Sequence, residues 1–176
     1  MLETFYPSED IASAYDIDYK NYYKRGYRAV IFDIDNTLVC HNAPANDEAK
    51  ALFKKLHSIG FKTLVLSNNK QGRVKTFADA VGSYYIYKAN KPAKSGYLKA
   101  MKMLQSDMYS TLFVGDQLFT DVWGANRVGM HSILTSPINP KEEIQIVIKR
   151  FFEKGILHFY YKQKEKLGID DLRKRK

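Results

Sequence analysis

The stretch that most constrains this chain is Val30-Ile31-Phe32-Asp33-Ile34-Asp35-Asn36-Thr37-Leu38-Val39. It opens as an apolar run rich in β-branched and aromatic residues, the signature of a buried strand. Two carboxylates then follow at a spacing of two. Side chains at i and i+2 of an extended chain point the same way, so Asp33 and Asp35 are expected to face one site. An ionised carboxylate in an apolar strand is costly unless a cation or several donors meet it, and two together repel. A turn with side-chain-to-backbone bonds would account for Asp35-Asn36-Thr37 but leaves Asp33 unexplained. A site for Mg²⁺ and phosphate accounts for both, because oxygen ligands suit a hard cation.

From Arg28 onward the hydrophobic rhythm alternates between strand and helix. After the Asp33 strand, Pro44 and Asn46 prepare a helix whose apolar residues Ala49, Leu52, Phe53, Leu56 and Ile59 recur at three and four, with Gly60 as its stop. Lys62 to Ser67 reads as a second strand and Tyr84 to Tyr87 as a third. Thr111 to Val114 and His131 to Leu134 read as the fourth and fifth. Helices are expected near 72–80, near 93–105 and between the last two strands. This alternation predicts an α/β fold, a five-stranded, mainly parallel sheet with helices on both faces. The expected organisation is one domain over 1–176. Residues 1–27 form an aromatic lead-in, with a helix start at Pro7-Ser8-Glu9-Asp10. Residues 28–140 form the core, and 141–176 a C-terminal helix and basic tail. The stripe Ile144, Val147, Ile148, Phe151 and Phe152 predicts that helix, and Gly155 its end.

In open α/β sheets ligands sit beyond the carboxyl ends of the strands. The first strand ends in Asp33 and Asp35, the second in Ser67, the third leads to Lys91, and the fourth ends in Asp116. Singly, Ser67 could be a helix cap, Lys91 a surface lysine and Asp116 a turn former. Together they supply a carboxylate nucleophile, a second carboxylate for proton transfer, a hydroxyl and a cation for phosphoryl oxygens, and a third carboxylate for a metal.

These residues resemble the motifs of the haloacid dehalogenase-like (HAD) phosphohydrolases. The first motif of that family, DxDx(T/V), is matched by Asp33 to Thr37, and the later ones by Ser67, by Lys91 and by Gly115-Asp116 with Asp121. The resemblance implies a three-layer Rossmann-like fold and an aspartyl-phosphate mechanism. In it Asp33 is the nucleophile and Asp35 the proton donor and acceptor. Thr37, Ser67, Asn68 and Lys91 form the phosphate-binding set, and Asp33, Asp35, Asp116 and Asp121 the Mg²⁺ set, Asp35 through its backbone carbonyl and Asp121 by orienting the metal's water shell or Lys91. The strings IFDIDNTLV, LSNN, ANKP and VGDQLFTDVWGANRVGM resemble the YqeG-like branch of subfamily IIIA, related to the mitochondrial phosphatidylglycerophosphate phosphatases. That implies a phospholipid headgroup as substrate. Nucleic-acid ends, phosphoproteins and small phosphomonoesters are the alternatives within the same chemistry, and a silent lipid- or RNA-binding scaffold the alternative outside it. A signalling receiver domain is excluded by order, since its hydroxyl and Lys-Pro follow later strands.

The gaps from Asp35 to Ser67 and from Ser67 to Lys91 hold a helix each, so no cap domain is expected and the site should be open to large substrates. Net charge is +9, from 28 basic and 19 acidic residues. Ten basic and four acidic residues lie from Lys149 to Lys176, a net of +6, interleaved with aromatics. Such a segment suits an anionic partner, nucleic acid or a membrane surface alike, and it is the resemblance that implies a peripheral membrane surface more than nucleic acid. Cys40 is the only cysteine, which excludes an internal disulfide. The start lacks a signal-peptide pattern and no apolar run approaches a membrane span, so the expected location is the cytoplasm, at the inner face of the membrane. His41, His57, His131 and His158 lack zinc-ligand spacing.

Overall fold

The computed structural model describes residues 2–139 and 144–167, with side chains described over 3–139 and 152–166. Its centre is a six-stranded, wholly parallel sheet. The strands are β1 (Glu9–Ile11), β2 (Ala29–Phe32), β3 (Lys62–Leu66), β4 (Tyr84–Ile86), β5 (Thr111–Gly115) and β6 (His131–Thr135), in the order β1-β6-β5-β2-β3-β4. The chain lays down the far edge strand β1 first, winds outward from β2 to β4, and then returns to build β5 and β6 between β2 and β1. The switch in strand order therefore lies between β2 and β5.

The sheet alternates its buried side chains between two helical layers. Val30, Phe32, Val65, Leu112 and Val114 share a core with α2 (Asp47–Ile59) and α3 (Gln71–Val81), to which α1 (Tyr19–Lys24) adds Tyr19 and Tyr22. Ala29, Ile31, Leu64, Leu66 and Phe113 face α4 (Lys94–Leu104) and α5 (Trp123–Arg127). The ends of α2 follow from local chemistry. The Asn46 side chain accepts from the Ala49 amide at 2.8 Å, and Gly60 closes the helix at φ 110°, the left-handed region glycine enters without a Cβ penalty. Only α2 lies between β2 and β3 and only α3 between β3 and β4, so neither crossover carries a cap.

The edges depart from expectation. The lead-in contributes the sixth strand: Glu9–Ile11 pairs with β6, and the anticipated helix start at Pro7 to Asp10 is a strand start instead. Ser8 anchors it, its hydroxyl accepting from the Ser132 amide at 3.0 Å. After β5 the chain makes a single π-type turn, Leu118–Val122, before α5. At the C-terminus, α6 runs Ile144–Leu167 without stopping at Gly155. A glycine ends a helix by adopting positive φ, and Gly155 is not among those that do. The segment beyond it docks. Ile156 and Leu157 pack with Leu118, Val122, Leu134 and Phe5, while Tyr160 is fully buried against Tyr6. Lys164 meets Asp10 at 2.9 Å. The side chains of Ile144 to Phe151 and the terminal run Arg173 to Lys176 lie outside the described residues, and Phe152 is exposed.

Candidate active site

The switch point fixes the geometry. Phe32 registers with Val114, and the Asp33 amide donates to the Val114 carbonyl at 2.9 Å, so the residues that follow β2 and β5 emerge side by side. Beyond β2 the chain turns sharply. Asn36 takes φ 63°, and the amides of Thr37 and Leu38 donate back to the Ile34 carbonyl. The buried Thr37 hydroxyl donates to Asp116 Oδ1 at 3.1 Å, which ties the two loops together.

Asp33, Asp116 and Asp121 are all buried, each with a carboxylate oxygen within 4.8 Å of the others'. Lys91 reaches into this group. Its ammonium lies 2.5 Å from Asp33 Oδ1 and 2.7 Å from Asp121 Oδ1. Burial pushes the Asp33 carboxyl up to about 7 against the pull of Lys91, with Asp121 and Asp35 adding to the rise. Burial alone would lower the Lys91 ammonium, but Asp121 and Asp33 outweigh it and hold it above its usual range. With Asp33 ionised, three carboxylates facing one ammonium leave an excess of negative charge in a buried place. A divalent cation offsets that excess, and the all-oxygen donor set suits a hard one.

Asp35 stands apart from that group. Its Oδ1 accepts from the Asn42 amide at 2.8 Å and pairs with Arg73 Nη2 at 3.0 Å, while its Oδ2 accepts from Asn69 Nδ2 at 3.1 Å. Asp33 and Asp35 do share one site, lining a cavity of about 300 Å³ with Ser67, Asn68 and Lys91. The carboxylates of Asp33, Asp116 and Asp121 lie together, while the Asp35 side chain is held by Asn42, Asn69 and Arg73, which leaves its backbone carbonyl as the atom expected at a metal. Two residues of the expected phosphate set make contacts within the protein. Thr37 spends its hydroxyl on Asp116. Asn68 holds the Lys91 backbone from both sides, Oδ1 accepting from the amide at 2.7 Å and Nδ2 donating to the carbonyl at 3.2 Å. Ser67 accepts from the Asn69 amide at 3.1 Å and lines the cavity.

Gly115 permits the crowding of the acidic loop. A Cβ there would lie 2.5 Å from Asp121 Oδ2. The same oxygen accepts from the Gln117 amide at 3.0 Å, so Asp121 both braces its own turn and orients Lys91.

Sequence reasoning passed over Asn69, Arg73 and Glu153. Asn69 lies two residues before the start of α3 and Arg73 in its first turn, so no spacing rule singled out the pair. Glu153 carried no signal either, since it sits inside a basic segment. It is 4% exposed, and its Oε1 accepts from the Leu118 amide at 2.8 Å and the Phe119 amide at 3.3 Å.

Comparison with known proteins gives the family. The haloacid dehalogenase-like hydrolase family model matches residues 39–129, just over half of the chain. The probable phosphatase YqeG of Bacillus subtilis is 33% identical over 159 residues, spanning 89% of this chain and 92% of that protein. The chain belongs to the haloacid dehalogenase-like hydrolase family. It is an HAD-type phosphatase, a hydrolase of phosphoric monoesters. Phosphatidylglycerophosphate phosphatase 1 of Arabidopsis thaliana is 26% identical over 167 residues, covering 80% of this chain but 46% of that protein. Among solved structures, an HAD phosphatase from Thermococcus onnurineus has a TM-score of 0.51 at 15% identity, covering 66% of this chain and 88% of its own. An uncharacterized protein from Listeria monocytogenes serotype 4b reaches 0.53 at 21% identity, covering 66% and 85%. These two show the shared HAD fold.

Proposed function

We propose that this HAD phosphatase is Mg²⁺-dependent, works through an aspartyl phosphate on Asp33, and removes the terminal phosphate of phosphatidylglycerophosphate. The observation that carries the reading is Asp33 at the end of β2, its carboxylate 2.5 Å from the Lys91 ammonium and beside Asp116 and Asp121. Mg²⁺ held by Asp33 and Asp116 would neutralise phosphoryl charge and position the phosphoryl group for attack. Asp33 attacks phosphorus, and the phosphorus–alkoxide bond breaks with its electron pair on the leaving oxygen. Asp35, on the wall of the same cavity, gives that oxygen a proton. It then takes one from water as water attacks the aspartyl phosphate and frees the Asp33 carboxylate. Lys91 and Ser67 bind phosphoryl oxygens. Asn68 and Asp121 keep Lys91 in place, and Arg73 and Asn69 orient Asp35.

The lipid substrate is supported by the likeness to the Arabidopsis phosphatase and by a site that no cap encloses. An uncapped cavity of about 300 Å³ admits a phosphomonoester at the end of a larger body. The test is phosphate release from phosphatidylglycerophosphate, 5′-phosphorylated oligonucleotides, a phosphopeptide and para-nitrophenyl phosphate, each with Mg²⁺ and with chelator. The reading requires the highest kcat/KM on the lipid and none in chelator. A preference for another substrate would overturn the lipid assignment, and full activity in chelator the metal.

A further inference from the structure

We infer that the outer face of α4, with the neighbouring edge strand β4, is the surface by which this protein sits on an anionic lipid bilayer. Between Asp79 and Asp107 the chain contains no acidic residue and five lysines: Lys88, Lys91, Lys94, Lys99 and Lys102. Lys91 is spent in the active site. The other four are exposed, and between them stand the exposed apolar side chains Leu98 and Met103. Leu98 is 52% exposed on a helix whose opposite face is fully packed by Tyr97, Ala100 and Leu104. Exposed apolar groups that gather into a patch rimmed by polar residues mark protein or membrane interaction sites.

The surroundings of α4 extend the surface. On one side a groove of about 660 Å³ runs along β4 between Tyr84, Tyr87, Lys99 and Met103. On the other a groove of about 480 Å³ lies between Leu98, Lys102 and Tyr109. Tyr84 is 56% exposed and Tyr109 78%. Aliphatic side chains flanked by lysines and rimmed by tyrosines have the composition of a helix lying in a membrane interface. The apolar groups enter the acyl boundary, lysines meet headgroup phosphates, and tyrosine rings sit between. Among the described residues no helix is long and apolar enough to cross a membrane, so attachment here is peripheral.

Charge complementarity selects this occupant over the rivals. A second copy docked through the same face would set Lys99 and Lys102 against their own counterparts. Nucleic acid would use the lysines and tyrosines but gains nothing from exposed Leu98 and Met103. The position fits as well. Lys94 opens α4 directly after Lys91-Pro92-Ala93, so the helix begins three residues from the catalytic lysine. A bilayer against α4 would present headgroups at the mouth of the cavity. In its purpose the assignment rests on the lipid reading of the active site, and the test keeps the two apart.

The experiment is flotation of the full-length protein with vesicles of phosphatidylcholine alone and with phosphatidylglycerol added. It compares the wild type with Lys99→Glu/Lys102→Glu and with Leu98→Gln/Met103→Gln. All three are also assayed on a soluble phosphomonoester and on phosphatidylglycerophosphate in detergent. Wild type should bind the anionic vesicles and release in high salt. The charge reversal should weaken binding by about 30-fold or more, taking each lysine as about 1 kcal/mol near an anionic surface. The apolar pair should weaken it as well, while the soluble and detergent rates stay unchanged. Equal vesicle binding by all three proteins, or absence of wild-type binding, would overturn the assignment. So would a change of oligomeric state, or loss of oligonucleotide binding, in place of vesicle binding. If wild type binds and the variants do not, yet none cleaves the lipid, the surface stands and the substrate reading falls.

Discussion

Glu153 Oε1 accepts from the Leu118 amide at 2.8 Å, so a residue of α6 caps the turn that follows Asp116 and carries Asp121. The bond joins α6 to the acidic loop. It also changes the meaning of the basic C-terminal segment, which over its described length is a docked helix holding part of the active site.

Glu153→Ala should therefore impair two properties at once. Leaving two amides of this turn without their acceptor should cost about 1–3 kcal/mol of stability. It should also raise the Mg²⁺ concentration needed for half-maximal activity. Glu153→Gln retains an acceptor oxygen and should lie near wild type in both. Urea denaturation and a Mg²⁺ titration, with metal binding followed by calorimetry, decide the matter. A stability loss without any change in metal binding would separate Glu153 from the site.

Gly115→Ala should be more damaging than its single methyl suggests. The new Cβ would meet Asp121 at 2.5 Å from Oδ2 and 2.6 Å from Cγ, and Asp121 cannot retreat without releasing Lys91. Overpacking of this kind costs about 1–3 kcal/mol. Turnover should fall by more than tenfold in folded protein, and wild-type kcat in this variant would show that Asp121 need not hold Lys91.

Asp35→Asn should leave the fold intact and lower kcat by about 10²–10⁴-fold, the usual worth of a proton-transfer group. Arg73→Met removes only the partner that orients Asp35 and should cost less, mainly in kcat. A leaving group that needs no protonation, such as para-nitrophenolate, should narrow the defect of both. An equal defect on all leaving groups would mean that Asp35 does not act as the acid.

Edge strand β1 supplies a pH prediction. Glu9 Oε1 lies 3.0 Å from His131 Nε2, and that hydrogen bond, helped by Arg25 and opposed by burial, holds the Glu9 carboxyl down to about 2. A carboxyl lowered on folding contributes stability above its ordinary pKa, here 4.5, and loses it as pH falls toward 2. Wild type should exceed Glu9→Gln in urea stability at pH 6, and the gap should close between pH 4.5 and about 2. A gap that stays constant down to pH 2.5 would contradict the linkage.

What was legible in the sequence follows from the same physics. Asp33, Ser67, Lys91 and Asp116 could be read because a parallel sheet puts each strand's last polar residue at one edge, and because apolar runs mark those strands plainly. Strand β1 could not. Glu9, Asp10 and Ile11 show no alternation, are all half-buried, and become a strand only because β6 offers its edge. Asp35 was half legible: its presence at the site followed from spacing, but its partners depended on the turn at Asn36 and on α3. Gly155 misled because a glycine after an apolar stripe reads as a stop, whereas packing of Ile156, Leu157 and Tyr160 carries the helix through. Glu153 was hidden for a related reason: its partners are backbone amides far away in the chain.

The most direct test of the central claim is to find the phosphoryl group on the protein. Enzyme turning over phosphatidylglycerophosphate with Mg²⁺ is quenched in acid, reduced with borohydride and digested, and the reduced residue is located by mass spectrometry. Reduction of an aspartyl phosphate yields homoserine at position 33 in the wild type and none for Asp33→Asn. Undiminished turnover by Asp33→Asn, or a modified residue at any other position, would contradict the account.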